Sequence, residues 1–175
     1  MNPTGKNISS HKEWSGLKAP LVGTKNIWKL FVALGLFDKK LFRDIQNMKP
    51  SDWSYDFTER VYEEVRRNKM YLSNLSKATQ EDARPQPNSV FREYVSLMKE
   101  EIKILNPKVV ILFGNQVSSI LLNEAVTVSK IRKQGFILPI GNREYNVYPV
   151  FYPVGMGMRN IHKSIEDIHW ILKNN

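Results

Sequence analysis

Pro107-Lys-Val-Val-Ile-Leu-Phe-Gly114 sets an unbroken apolar run between a proline and a glycine. The proline stops a preceding helix and the glycine ends the run. Continuous apolar residues, as opposed to alternating ones, mark a strand covered on both faces, as in parallel α/β sheets. Upstream, Ser89 to Leu105 carries Val90, Tyr94, Leu97, Met98 and Ile102 at helical spacing. Downstream, Asn115 to Leu122 reads as a short helix. Phe136–Ile140 and Tyr145–Val150 flank Gly141-Asn142, a hairpin signal. Ile161 to Leu172 closes the chain as an amphipathic helix.

On the amino-terminal side, Met1 to Leu21 reads as an extended loop rich in Gly, Pro, Ser, Asn and Lys. Asn26 to Phe37 predicts a helix with Ile27, Leu30, Phe31 and Leu34 on one face. Thr58 to Asn68 predicts another, capped by Thr58. Met70 to Ser73 reads as a short strand, and Lys77 to Asn88 as a polar loop. This alternation predicts a three-layer α/β/α sandwich with a short, mostly parallel central sheet, in one domain spanning residues 1–175. Sites in open sheets of this kind form at the carboxyl ends of strands, and Asn74, Gly114 and Tyr152 fall at such ends.

At 175 residues the chain is the size of one domain, with ordinary hydrophobic (42%) and charged (25%) content for a soluble protein. No apolar run approaches the roughly 20 residues that cross a bilayer. The polar amino-terminus has no secretory core, so no membrane association and a cytoplasmic location are expected. Zero cysteines exclude disulfides, a thiol nucleophile and a cysteine-ligated iron–sulfur cluster. A formal charge of +9 and a pI near 9.7 favour a polyanionic partner. That charge is spread along the chain, which predicts a folded basic surface instead of a basic arm. His11, His162 and His169 have no metal-ligand spacing, and there is no P-loop or dinucleotide fingerprint; no metal or cofactor is expected. The pairs Glu63-Glu64 and Glu100-Glu101 read as solvated helix faces.

Four further stretches carry chemistry: Met1-Asn-Pro-Thr-Gly5, Pro20-Leu-Val-Gly23, Tyr71-Leu-Ser-Asn-Leu-Ser-Lys77 and Phe151-Tyr-Pro-Val-Gly-Met-Gly-Met-Arg-Asn160. An Asn at a rigid strand end can meet an adjacent acceptor and donor at once, as the edge of a pyrimidine base requires. Alone, Asn74 reads first as an ordinary turn residue that bonds its own backbone. In this order, and together with the 107–114 strand, the stretches resemble the pocket-forming loops of the uracil-DNA glycosylase superfamily, in a divergent form without its iron–sulfur cysteines.

That resemblance implies a glycosylase that extrudes a base, binds its polar edge and guides water to the sugar carbon. It assigns water orientation to Asn2, with Gly5 among the substrate-binding positions. It assigns base recognition to Asn74, with Lys77 on DNA. Leu21 stands where the iron–sulfur branch carries a stacking Phe, so an aliphatic wall replaces a platform worth about 1–3 kcal/mol. Trp14 or Trp28 are candidate replacements, although Trp28 reads as core. Tyr152 stands where many members carry a catalytic His, and Val154 where they carry Ser. A phenol supplies no cation, but it can donate one hydrogen bond to the leaving base. Gly155 and Gly157 allow close backbone approach to phosphate, Met156 or Met158 suits the wedge that fills the vacated base position, and Arg159 suits a phosphate contact.

The expected partner is DNA, single- or double-stranded, carrying a deaminated base, and the expected state is a monomer. The implied activity is hydrolysis of the N-glycosidic bond to uracil or a related base, as in base excision repair. Two alternatives stay open: a catalytically inactive nucleic-acid-binding relative, and a hydrolase of free nucleosides or nucleotides. In the family the first motif follows a buried central strand, whereas this sequence begins at the motif. The strand either comes later in the chain, is missing from the fold, or belongs upstream of Met1.

Overall fold

The computed structural model describes residues 24–49, 52–77 and 86–175. The chain divides into two compact units, with the boundary after Pro85.

The described part of the first unit is helical. α1 (Lys25–Ala33) buries Ile27, Trp28, Leu30 and Phe31, one stripe at helical spacing. α2 (Lys39–Asn47), which the sequence reading passes over, is started by Asp38, whose carboxylate accepts from the Leu41 N–H at 2.7 Å. α3 (Tyr55–Arg67) begins earlier than expected. Its cap is Ser54, which accepts from the Phe57 N–H at 3.2 Å. Thr58 instead lies one turn inside the helix, buried, with its hydroxyl donating to the Ser54 carbonyl at 2.8 Å. Trp28 sits at the centre of an aromatic cluster, with ring centroids 5.0 Å from Phe37, 6.1 Å from Phe31 and 6.4 Å from Trp53.

α3 ends in a Schellman arrangement. Lys69 takes the left-handed conformation (φ 53°). Its N–H donates to Arg66 O at 2.9 Å, and the Met70 N–H donates to Val65 O at 3.0 Å. The expected strand at Met70–Ser73 is therefore corrected: the Met70 N–H is spent on closing the helix, and residues 70–77 are irregular chain outside the three-stranded sheet. Leu75 and Ser76 are nevertheless buried.

The second unit contains the sheet. β1 (Val110–Phe113), β2 (Phe136–Ile140) and β3 (Arg143–Val150) form three strands in the order β1-β3-β2. β1 pairs parallel with β3 (Val110 opposite Val147, Phe113 opposite Val150), and β2 pairs antiparallel through the Gly141-Asn142 turn. The continuous apolar run is thus the parallel strand, and the hairpin makes the sheet mixed. Preceding it, the helix expected over 89–105 is broken at Glu93-Tyr94 into α4 (Asn88–Arg92) and α5 (Val95–Leu105). α6 (Asn115–Leu122) follows β1, and α7 (Ile161–Asn174) closes the chain.

Pairing register sorts the side chains between two faces. Leu112, Tyr145, Val147, Leu138 and Ile140 form one core with Ile102 of α5 and Leu121 of α6. On the other face Tyr148 meets Trp170 of α7 edge-on at 6.5 Å. Helices therefore cover both faces of this small sheet, and the α/β/α layering holds in this unit.

Candidate active site

Parallel pairing puts the carboxyl ends of β1 and β3 at the same edge, with Phe113 beside Val150. The Gly114 N–H donates to Val150 O at 2.8 Å, extending the ladder one residue past β1. Gly114 then turns into α6 with φ 89°, a left-handed-side conformation that favours glycine. A Cβ there would also stand 3.3 Å from the Tyr152 Cβ. Both features bring the backbone of the 113–115 turn against Tyr152, whose ring lies 6.3 Å from that of Phe113. Of the strand-end positions singled out in the sequence, Gly114 and Tyr152 are thus neighbours.

Beyond β3 the chain winds tightly. The Val154 N–H donates to Tyr152 O at 2.9 Å, and the Gly157 N–H to Val154 O at 3.0 Å. A 3-10 turn over Gly155–Asn160 follows and runs directly into α7. Gly155 holds φ 57° with open space around it. Gly157 is constrained differently: a β-carbon there would overlap the Tyr152 carbonyl oxygen. The two glycines serve separate ends, one a backbone conformation and the other a close approach. Met158 (50% exposed) and Arg159 are on the surface, as a loop that meets a ligand requires. The Met156 side chain lies outside the described residues.

α7 is pinned to this strand end. Ser164 is fully buried and its hydroxyl donates to Phe151 O at 2.8 Å. Lys163, its neighbour, holds its ammonium 5.6 Å from the Phe151 ring centroid, within cation–π range. His162 and His169 are exposed. Further along α7, the fully buried Asp167 takes a forked contact from Arg132 (Nε at 3.1 and 3.0 Å, Nη2 at 2.8 Å). Arg132 also reaches Glu166 at 2.8 Å, and Lys133 pairs with the same carboxylate. The hydrogen bonds that Arg132 donates to Asp167 and Glu166 raise its guanidinium further above its already high value. Those from Lys133 and Arg132 hold the Glu166 carboxyl down at about 2.

Asn74 and Lys77 belong to the first unit. Asn74 is half-buried beside the buried Leu75-Ser76 pair, and the Lys77 ammonium donates to the Ser73 hydroxyl at the other end of this short segment. Tyr62 of α3 titrates upward, to about 12, chiefly through burial and then through Glu59 and Tyr71; the last of these places Tyr71 near α3. Trp28 is only 2% exposed, so it is core and not a stacking platform. Asn2, Gly5, Leu21 and Trp14 lie outside the described residues.

The contacts of Phe113, Ser164 and the Arg132–Asp167 pair were not read from sequence. Phe113 had a signal, as the last residue of the decisive strand. Ser164 sits on the apolar face of an amphipathic helix, where a small polar residue with a backbone partner is a recurring solution. Among the described residues there is no His/Cys/Asp/Glu group arranged to hold a metal and no helix long and apolar enough to cross a membrane.

Comparison with curated proteins gives no match. A family model described as the uracil DNA glycosylase superfamily matches residues 19–168, a span that takes in Asn74, the 107–114 strand, Tyr152 and the Gly155–Arg159 turn. Membership supports a DNA glycosylase-type activity in general, a hydrolase of glycosidic bonds with DNA as its partner. On that match, which covers most of its length, the chain belongs to the uracil DNA glycosylase superfamily.

Proposed function

We propose that this protein removes uracil or a related deaminated base from DNA by hydrolysing the N-glycosidic bond. The observation that carries the reading is the strand-end pair Gly114 and Tyr152, from which a glycine-dependent turn presents Met158 and Arg159 to solvent. Such a turn at the carboxyl end of a parallel pair suits a target that must be approached closely by backbone.

In this reading the nucleotide is extruded from the base stack. The Asn74 side-chain amide reads the base edge, accepting from the imide N–H and donating to a carbonyl. Leu21 is the apolar neighbour of the base, and Gly5 is among the residues that bind it. As the C1′–N bond breaks, its electron pair leaves with the base. The Tyr152 hydroxyl donates to a base carbonyl and lowers the cost of that charge. Water held by Asn2 adds to C1′ and loses a proton, and the departing base is protonated, giving free base and an abasic sugar. Met156 or Met158 fills the space left in the stack, while Arg159 and Lys77 contact phosphate.

The test is incubation of the purified protein with single- and double-stranded oligonucleotides containing one uracil, followed by alkali. Cleavage at the uracil position, lost in Asn74→Asp and Asn2→Ala, is the expected result. Binding without cleavage by the folded protein would overturn base removal and leave a nucleic-acid-binding relative. Turnover of free nucleosides but not oligonucleotides would replace the reading with a nucleoside hydrolase.

A further inference from the structure

We propose that Lys163 is a phosphate-contacting residue of the DNA-binding face, fixed in place by Phe151 at the end of β3. The inference rests on the DNA-directed reading above but not on base removal.

Two contacts join α7 to residue 151. The Ser164 hydroxyl bonds the Phe151 carbonyl at 2.8 Å, and the Lys163 ammonium lies 5.6 Å from the centroid of the Phe151 ring. Lys163 is partly buried, so part of its rotamer freedom is already lost before any ligand arrives. Among the described residues no carboxylate lies within ion-pairing distance of Lys163 or of Arg159, four positions earlier. The local sequence offers none. No Asp or Glu occurs between Glu144 and Glu166. The next two acids along α7 are engaged elsewhere, Glu166 by Arg132 and Lys133, and Asp167 by Arg132. An aromatic face supports a cation without cancelling it. A lysine presented in this way, beside the turn that carries Met158 and Arg159, suits the phosphodiester flanking a nucleotide bound at the strand end.

A phosphate contact differs measurably from a role in bond breaking. Affinities of wild type, Lys163→Gln and Lys163→Arg for labelled oligonucleotides, with and without one uracil, are measured by fluorescence anisotropy between roughly 50 and 200 mM salt. Lys173→Gln, in the last turn of the same helix, is the control, and thermal melting checks that each variant is folded. Lys163→Gln is expected to weaken binding equally for both oligonucleotides and to lower the log–log salt slope by about one. The ratio of its dissociation constant to that of wild type then shrinks about fourfold across that salt range. Lys163→Arg restores the slope, and Lys173→Gln leaves it unchanged. An unchanged slope in folded Lys163→Gln, a loss confined to the uracil-containing oligonucleotide, or a wild type that binds neither oligonucleotide would overturn the proposal. Binding and slope changes as expected, in a protein that cleaves nothing, would leave it standing and remove only the base-excision reading.

Discussion

A β-carbon on Gly157 would overlap the carbonyl oxygen of Tyr152, the same oxygen that accepts the Val154 N–H. The turn after β3 is therefore wrapped around one peptide group, and residue 157 has no room for a side chain. Gly157→Ala must push the turn away from Tyr152. Gly155→Ala meets no neighbour and pays only for its left-handed φ, about 1–2 kcal/mol. Gly157→Ala is expected to have the larger effect on both uracil release and melting temperature, with far-UV circular dichroism nearly unchanged. Equal effects from the two would show that backbone conformation alone, and not the close approach, constrains this loop.

The Tyr152 hydroxyl is assigned a hydrogen bond to a base that leaves with negative charge. Bonds to charged groups contribute about 1.5–3 kcal/mol, so Tyr152→Phe is expected to slow single-turnover uracil release by roughly tenfold to a hundredfold. Binding to a uracil-free oligonucleotide should not change. Tyr152→His, which can carry a proton at mildly acid pH, is expected to be faster at pH 6 than at pH 8. A Tyr152→Phe variant as fast as wild type would remove the tyrosine from the chemistry and leave it as packing against Phe113 and Gly114.

Asp167 and Arg132 are 35 positions apart and form the forked pair that ties the segment before β2 to α7. Their exposures are unequal: Asp167 is fully buried, whereas the Arg132 side chain is 29% exposed. Arg132→Met strands a buried carboxylate, a loss of about 3–5 kcal/mol by comparison with other broken buried pairs. Asp167→Asn leaves Arg132 with Glu166 and solvent, so its cost should be distinctly smaller. Urea denaturation of both variants checks the order. The reverse order would mean that the arginine, not the carboxylate, is the group that needs its partner.

Local features of this fold were readable and distant ones were not. Val109 to Phe113 announced a strand because a continuous apolar run has few other homes, and Gly141-Asn142 announced a hairpin because few pairs accept that turn. α2 was missed although Asp38 was a visible cap: Lys39, Lys40, Arg43 and Asp44 dilute its apolar face to Leu41, Phe42 and Ile45. Met70–Ser73 reads as a strand by composition, but the Schellman closure at Lys69 uses its first donor, the Met70 N–H, to end α3. For the site, glycines at 155 and 157 were legible as backbone requirements. Which of them needed conformation and which needed space depended on where the Tyr152 carbonyl points. Arg132 and Asp167 left no trace in spacing, since a pair set by tertiary packing has no period.

Glu166 gives the acid limb of stability a definite sign. Its partners Lys133 and Arg132 hold its carboxyl at about 2, below the ordinary 4.5. A group depressed by folding contributes stability that is complete above its unfolded value and is lost as pH falls through its folded one. The window here therefore runs from about 4.5 down to about 2. Glu166 is at the surface, so salt screens the contribution. Glu166→Gln is expected to flatten the fall in melting temperature across that window, with a smaller difference from wild type in 0.5–1 M salt than at low salt, roughly as a Debye length of a few ångströms dictates. Superimposable acid limbs for wild type and Glu166→Gln at low salt would show that Lys133 and Arg132 do not hold this carboxylate in solution.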